Sequence, residues 1–257
     1  MSHKTILSEN KAYWTDRAAG YSEVNQIELN TAQREIWRRE LNRHIAQRFP
    51  DRDPASIRVL EVGTGPGFFS ILLAELGYAV TAVDLTPAML REARKNAGDL
   101  AARITYLEMN AEALTFPDGS FDVLLSRNLT WNLPHPETAY REWRRVLRPG
   151  GLLLNFDANW YHYLFDEHAR TGFDADREAA AAQGIDDQNV GERFDVMEDI
   201  ARRVPLSRTM RPAWDHDVLS GLGMRVETDP TAWERVWSDE EKTFFASTPM
   251  FLVHAVC

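Results

Sequence analysis

The stretch VLEVGTGPGFFS, residues 59–70, constrains the fold of this chain more than any other. Its first residues are apolar, as in a buried strand, and FFSILLAELG places apolar residues at helical spacing. Gly63, Gly65 and Gly67 lie between these two segments. Because glycine adopts positive φ and lets the backbone approach a ligand closely, the stretch predicts a strand, a ligand-binding turn and a helix.

The alternation of strand and helix continues along the chain. Strands are predicted in YAVTAVD, RITYLEMN, FDVLLSRN, LLLNFDAN and GMRVETD, with a final edge strand in PMFLVHAVC. One intervening helix has Thr86 as its N-cap, Pro87 at its first position and Gly98 beyond its end. The helix PETAYREWRRVLRPGG is predicted to end at its Pro-Gly-Gly. This pattern predicts an α/β fold: a Rossmann-like, doubly wound, mostly parallel seven-stranded sheet.

Two helical segments stand outside the alternation. Residues 1–50 have apolar positions at helical spacing and are predicted to form an N-terminal cap on a main domain of residues 51–257. Residues of about 158–211 are aromatic, acidic and alanine-rich, with no strand signal. We expect them to form a helical lid inserted after the fifth strand.

Composition limits the partners. The formal net charge of -10 argues against nucleic acid, because affinity for phosphate backbones comes from clustered Lys and Arg. Cys257 is the single cysteine, which excludes an internal disulfide and a cysteine-based zinc site. No segment has the apolar length of a signal peptide core or a membrane span. We expect a cytoplasmic protein that acts on a small molecule, without membrane, nucleic acid or metal; the oligomeric state stays open.

The spacing of the glycine turn indicates its ligand. The dinucleotide pattern G-x-G-x-x-G/A needs a small residue at position 68, which is Phe68 here. Glu61 lies just before the turn and favours an ammonium group over a phosphate. Asp84, at the end of the second strand, is placed to accept from ribose hydroxyls. The alternatives are that Glu61 is a solvated strand end and that Asp84 only caps the next helix.

These residues, with VTAVDLTPAML and NAEALTFPDGSFDVLLSRNLTWNLPHPETAYREWRRVLRPGGLLL, resemble class I S-adenosylmethionine-dependent methyltransferases of the group that includes small-molecule and quinone-biosynthesis enzymes. The resemblance is close over residues 50–157. It implies S-adenosyl-L-methionine as cofactor and S-adenosyl-L-homocysteine as product. Many members of the group have Asp where this chain has Asn110, whose amide oxygen can still accept from the adenine amino group.

The resemblance also implies a set of cofactor-binding residues. The turn would line the methionine half, Asp84 would hold the ribose, and Arg127 and Asn128 would lie beside the sulfonium. Tyr13, Arg17 and Tyr21 belong to a segment similar to the cap of this group. The full implied set is Tyr13, Arg17, Tyr21, Glu61, Gly63, Thr64, Gly65, Gly67, Asp84, Leu85, Met89, Asn110, Ala111, Glu112, Arg127 and Asn128.

The acceptor site is predicted from the loops after the fourth and fifth strands. His162 is a candidate base, and Trp131 and Asn132 are candidates to position the acceptor. The aromatic residues there can stack on a flat substrate or enclose a cation. The alternative for Trp131, as for Trp14 in the cap segment, is ordinary packing.

Three functions are compared on these residues. The first is methyl transfer to an oxygen, nitrogen, sulfur or carbon atom of a small molecule. The second is an NAD-dependent oxidoreductase, which Phe68 and the absence of a Tyr-x-x-x-Lys pair disfavour. The third is a non-catalytic module that binds the cofactor without turnover.

Overall fold

The computed structural model describes residues 5–185 and 194–257, so residues 1–4 of the predicted cap and 186–193 of the predicted insertion lie outside the described residues. The strands are β1 Arg58–Val62, β2 Ala79–Asp84, β3 Ile104–Glu108, β4 Phe121–Arg127, β5 Leu147–Asp157, β6 Arg225–Asp229 and β7 Phe251–Val256. They form one sheet in the order β3-β2-β1-β4-β5-β7-β6. The doubly wound, mostly parallel seven-stranded prediction is confirmed.

Helices cover both faces of this sheet. They are α1 Ile6–Asn30, α2 Gln33–Arg48, α3 Phe68–Glu75, α4 Pro87–Ala97, α5 Pro136–Val146, α6 Glu167–Ala182, α7 Phe194–Ala201, α8 Ala213–Gly221, α9 Ala232–Val236 and α10 Asp239–Phe244. The Thr86, Pro87 and Gly98 signals around α4 are confirmed as its N-cap, first residue and C-cap. Within the described residues, no helix is long and apolar enough to span a membrane.

The strand order reverses beside β1. It pairs in parallel with β2 on one side and with β4 on the other. In open α/β sheets the ligand lies beyond the carboxyl ends of the strands at such a switch point. The glycine turn after β1 is therefore at the position that the fold reserves for a ligand.

The prediction that the last strand forms an edge is wrong. β7 lies between β5 and β6 and runs antiparallel to both. Its residues are buried on both faces except for half-buried His254, as an interior strand requires. β6, whose residues are mostly exposed, forms the edge instead, because a polar strand loses less by facing water.

The end of α5 also differs from the prediction. The helix ends at Val146 and β5 already begins at Leu147, before the Pro-Gly-Gly segment. Leu147 pairs with Phe121, and the register then shifts before Leu152 pairs with Val123. The long-range pairing with β4 thus extends the strand back through residues that read locally as a helix end.

The cores on the two faces are built around large aromatic residues. On one face, Trp37 of α2 contacts Phe69 and Phe156 with ring centroids 4.9 and 5.1 Å apart. On the other, Tyr140 and Trp143 of α5 are fully buried, 5.4 Å apart. These clusters hold α2, α3 and α5 against the sheet and thereby fix the carboxyl ends of β1 and β4.

The predicted insertion is helical where the structure describes it, and its two ends meet. The side-chain amide of Asn159 bonds to both main-chain groups of Arg211, at 3.0 and 3.1 Å. Arg211 also donates to Asp157 and Asp215, each at 2.6 Å, with the three side chains fully buried. Burial alone would lower the pKa of Arg211, but the two carboxylates raise it well above its usual value. This ion cluster joins the end of β5 to the start of α8.

Candidate functional site

One cavity opens at the carboxyl ends of β1, β2 and β4, and α1 covers it. Its empty space of about 960 Å³ is continuous with solvent. Most of the residues predicted from sequence line it: Tyr21, Glu61, Gly63, Thr64, Gly65, Asp84, Leu85, Met89, Asn110, Ala111, Arg127, Asn128 and Asn132. The switch point and the motif residues therefore coincide in space.

The glycines of the turn have two different roles, one at the cavity and one in helix packing. At Gly65, with φ of 53°, an added Cβ would lie 3.7 Å from the Tyr21 ring, on the cavity side of the turn. At Gly67, with φ of 92°, it would lie 2.9 Å from Cβ of Ala93, so this glycine permits α3 to pack against α4. Gly67 does not line the cavity, and its requirement is helix packing.

Glu61 is a buried carboxyl at the cavity wall. The Thr64 hydroxyl donates to its Oε2 at 2.6 Å, and only 4% of the residue is exposed. Burial raises the pKa of Glu61 to about 7, although Thr64 and Arg127 oppose the shift. The alternative of a solvated strand end is excluded. The site can hold this group neutral or charged near neutral pH, and a cation in the cavity would favour the charged form.

Asp84 has both a ligand-facing and a structural arrangement. Its Oδ2 accepts from Gly65 N and its Oδ1 from Thr86 N, both at 2.9 Å, and from the Thr86 hydroxyl. Burial raises the pKa of Asp84 in spite of these bonds. Because a carboxylate has about four acceptor positions, it can take a further donor from the cavity while it orders the turns after β1 and β2.

The far end of the cavity contains Leu85, Met89, Asn110 and Ala111. The Oδ1 of Asn110 accepts from Glu112 N at 3.0 Å, which closes a tight turn after β3. Glu112 itself points away: its Oε1 accepts from His135 N at 2.6 Å and joins two loops. This end offers apolar walls and polar amide edges, a combination that suits a flat heterocycle.

Arg127 ends β4, Asn128 follows it, and both residues line the cavity. Arg127 forms a bidentate ion pair with Glu28, at 2.7 and 2.9 Å, and lies 4.7 Å from the Phe68 ring. Burial would lower its pKa, but Glu28 outweighs that effect and raises it. Asn128 adopts a left-handed φ of 55°, and its buried Oδ1 has no hydrogen-bond partner.

One face of α1 completes the cavity and was largely missed from sequence. Its lining residues are Leu7, Asn10, Lys11, Trp14, Tyr21 and Asn25, which recur at helical spacing. Lys11 pairs with Glu108 at 2.5 Å, and the Asn10 side chain donates to Asn132 O at 2.9 Å. The periodicity was available in the sequence, but its members include polar residues that an apolar pattern does not select.

Several predicted residues do not reach the cavity wall. Trp131 donates to Asn128 O at 3.0 Å and stacks on Tyr161 at 4.8 Å, so it packs behind the wall. The His162 ring contacts Ser207 O at 3.3 Å, among the insertion residues. The predicted residues outside the lining are Tyr13, Arg17, Gly67, Glu112, Trp131 and His162. Phe68, Phe69, Thr86, Met109, Leu129, Leu133 and Pro134 line it without having been predicted.

Sequence comparison agrees with this geometry. The family profile described as "Methyltransferase domain" matches residues 60–155, which run from β1 into β5. Over these residues the chain is similar to S-adenosylmethionine-dependent methyltransferases. S-adenosyl-L-methionine is the cofactor of that family, and the resemblance inferred from sequence is confirmed.

Individual relatives of the methyltransferase domain cover parts of the chain. A ubiquinone biosynthesis O-methyltransferase of Xanthomonas oryzae is 36% identical over 103 residues, 40% of this chain and 43% of that protein. An uncharacterised protein of Mycobacterium tuberculosis is 37% identical over 97 residues, 38% of this chain and 35% of that protein. The chain thus spans less than half the length of these relatives.

Solved structures extend the similarity of fold beyond the matched segment. An S-adenosylmethionine-dependent methyltransferase from Mesorhizobium loti superposes with a TM-score of 0.56 at 21% identity, over 83% of this chain and 96% of that one. The CurJ carbon methyltransferase gives a TM-score of 0.62 at 16% identity, over 91% and 57%. The similarity of fold to these two proteins therefore extends beyond residues 60–155.

Proposed function

We propose that the chain transfers a methyl group from S-adenosyl-L-methionine to a small-molecule acceptor. The observation that carries the proposal is the charge of the cavity. Two carboxyls, Glu61 and Asp84, line it, and its two lining cations are already paired with carboxylates: Lys11 with Glu108 and Arg127 with Glu28. Such a cavity attracts a ligand with net positive charge and hydroxyl donors, which describes an adenosyl sulfonium with its ammonium group.

The residues fit this cofactor from end to end. Asp84 has acceptor capacity left for ribose hydroxyls, and Leu85 and Met89 would flank the adenine. Glu61 and the Gly63–Gly67 turn would receive the methionine ammonium. Burial raises the pKa of Tyr21, so its hydroxyl stays protonated and can donate to the methionine carboxylate. Tyr21 suits this role better than Arg17, because Arg17 does not line the cavity.

The cofactor, when bound, supplies an electrophilic methyl group on a sulfonium. The protein would contribute alignment of the acceptor with that methyl group and exclusion of water. Residues of α1 cover the cavity, and Arg203, which follows α7, forms an ion pair with Glu9 of α1. The predicted division into a cap of residues 1–50, a main domain and a lid of about 158–211 remains a proposal, and the cytoplasmic location remains a prediction from sequence.

Calorimetric titration tests the proposal directly. S-adenosyl-L-methionine, S-adenosyl-L-homocysteine and NAD are titrated into the wild type, Asp84→Ala and Asp229→Ala. Asp229 is a matched control: it ends β6, and its Oδ1 accepts from Thr231 N and hydroxyl at 2.9 Å, as Asp84 does with Thr86. It does not line the cavity.

We expect micromolar binding of the two sulfur ligands, lost in Asp84→Ala and kept in Asp229→Ala. Binding of NAD instead, or equal losses in both variants, contradicts the proposal. Release of labelled methyl into an acceptor then distinguishes the enzyme from a module that only binds the cofactor.

A further inference from the structure

Three asparagine side chains at the cavity wall have unused acceptors. The Oδ1 atoms of Asn10, Asn128 and Asn132 are buried and have no hydrogen-bond partner, and all three residues line the cavity. Asn10 and Asn132 are only 5% and 4% exposed. A buried acceptor without a donor is costly, and a ligand that brings donors into the cavity would satisfy these three.

The orientation of Asn10 is fixed by its other atom. Its Nδ2 donates to the main-chain oxygen of Asn132 at 2.9 Å, which leaves Oδ1 as the free end. The same bond joins α1 to the short 3₁₀ helix Thr130–Asn132 after β4. The Asn10 side chain therefore contacts the main chain of Asn132, where α1 meets the loop after β4, and both residues line the cavity there.

The proposed cofactor has other partners in the cavity. Asp84 suits its ribose, the Asn110 segment its adenine, and Glu61 with the glycine turn its ammonium. Asn10 and Asn132 belong to none of these groups. Trp14 lies one turn after Asn10 on the same face of α1 and also lines the cavity, and its ring favours a cation nearby.

The ionisable residues that line the cavity distinguish between a hydroxyl and an amine as the methyl acceptor. A hydroxyl must lose its proton for methyl transfer, which calls for a base, whereas a neutral amine offers its lone pair directly. Within residues 5–185 and 194–257, no histidine lines the cavity, and the two carboxyls that do, Glu61 and Asp84, are assigned to the ammonium and the ribose of the proposed cofactor. Lys11 and Arg127 are paired cations, and nothing in the lining offers an unpaired cation to a phenolate or carboxylate.

We propose that the methyl acceptor is a small primary amine, held through its two N–H groups by the side-chain oxygens of Asn10 and Asn132. This inference rests on the proposed methyl transfer. Two N–H bonds to these oxygens leave the nitrogen lone pair directed away from them. That nitrogen forms the bond to the methyl carbon while the sulfur keeps the electron pair of the broken bond. The product is an alkylammonium, whose N–H groups bind the amide oxygens more strongly.

The test compares phenethylamine, 2-phenylethanol and phenylacetate, which share a ring and differ in the functional group. Each is titrated by calorimetry into the full chain saturated with S-adenosyl-L-homocysteine, at a pH of about 9. Methyl transfer from labelled S-adenosyl-L-methionine is followed separately, with products resolved by mass. We expect the amine to bind at least ~10-fold more tightly than either counterpart and to give the N-methyl product.

Two variants of Asn132 separate its role from folding. Asn132→Leu removes the acceptor at similar volume, and we expect ~10- to 100-fold weaker amine binding with unchanged affinity for S-adenosyl-L-homocysteine. Asn132→Asp keeps an acceptor and adds charge, and we expect tighter amine binding.

Equal or tighter binding of the alcohol or the carboxylate, binding of none of the three, or an Asn132→Leu variant with unaltered amine affinity overturns the inference. Failure of S-adenosyl-L-homocysteine to bind the wild type overturns the proposed function itself. The two failures are thus distinguishable, because the cofactor product is titrated before any acceptor.

Discussion

Replacement of Glu61 by Gln should strengthen the fold and weaken the cofactor site together. The folded-state pKa of Glu61 is about 7, against an ordinary value of 4.5, because the carboxyl is buried. The folded chain therefore holds this proton more tightly than the unfolded chain does. The contribution of protonated Glu61 to the free energy of unfolding is therefore fully present below pH ~4.5 and is lost as the pH rises through about 7.

The magnitude follows from that interval. One pH unit corresponds to about 1.4 kcal/mol, so ionisation of Glu61 costs the folded state about 3 kcal/mol above pH ~7. Gln keeps an oxygen that accepts from the Thr64 hydroxyl and carries no proton to lose. Glu61→Gln should thus be about 3 kcal/mol more stable than wild type at pH ~8 and nearly equal to it at pH ~4.5.

Cofactor affinity should move in the opposite direction. An ammonium beside Glu61 lowers the pKa of the carboxyl in the complex, so wild-type affinity is full above about pH 7 and falls as the pH drops below it. Glu61→Gln should bind S-adenosyl-L-homocysteine ~10- to 100-fold more weakly, without this pH dependence.

Urea unfolding and calorimetry between pH ~5 and ~8 provide both measurements. A variant that is no more stable than wild type at pH ~8 refutes the burial argument. A wild-type affinity that stays constant from pH ~6 to ~8 refutes the placement of an ammonium at Glu61.

Substitutions at the turn, at the buried ion pair and on α1 test the rest of the geometry. Gly67→Ala places a Cβ 2.9 Å from Cβ of Ala93 and should cost about 1–3 kcal/mol in urea unfolding; a cost under ~0.5 kcal/mol contradicts the packing role. Glu28→Gln leaves buried Arg127 without its counter-charge and should cost about 3–5 kcal/mol, much of it recovered when Arg127→Met is added; no recovery would count against this pair. Lys11→Met removes a half-exposed ion pair and should change the free energy of unfolding by less than ~1 kcal/mol. We expect this variant to release S-adenosyl-L-homocysteine faster than wild type in a stopped-flow measurement. An unchanged release rate would show that this pair does not hold α1 over the cavity.

The central sheet and the cofactor end of the site were predictable because their signals are local. A strand, a turn and a helix succeed one another within residues 59–70, and capping residues mark α4 on both sides. Asp84 ends its strand in the sequence as it does in space. Each of these features depends on neighbours in the chain, which hydrophobic periodicity and turn chemistry reveal.

The remaining features depend on distant partners. The position of β7 between β5 and β6 depends on which strands it pairs with, and those strands are distant in sequence. The apolar sequence of β7 matches its nearly continuous burial but does not identify its neighbours. The inward side of α1 buries Asn10, Ser22 and Asn25 as well as apolar residues, so an apolar pattern marks that side only in part. Trp131 and His162 were predicted as acceptor-site residues because they follow strand ends. In the structure, Trp131 stacks on Tyr161 and the His162 ring contacts Ser207 O, so neither side chain faces the cavity.

The bonds between Asn159 and Arg211 make the insertion a segment with coincident ends. The chain leaves β5 and returns to α8 at one location, so the length and sequence of what lies between can change without displacing either element. Glu61, Asp84 and the glycine turn all precede this segment. A chain organised in this way can exchange one surface segment in evolution while its cavity, which is lined by residues outside that segment, stays unchanged.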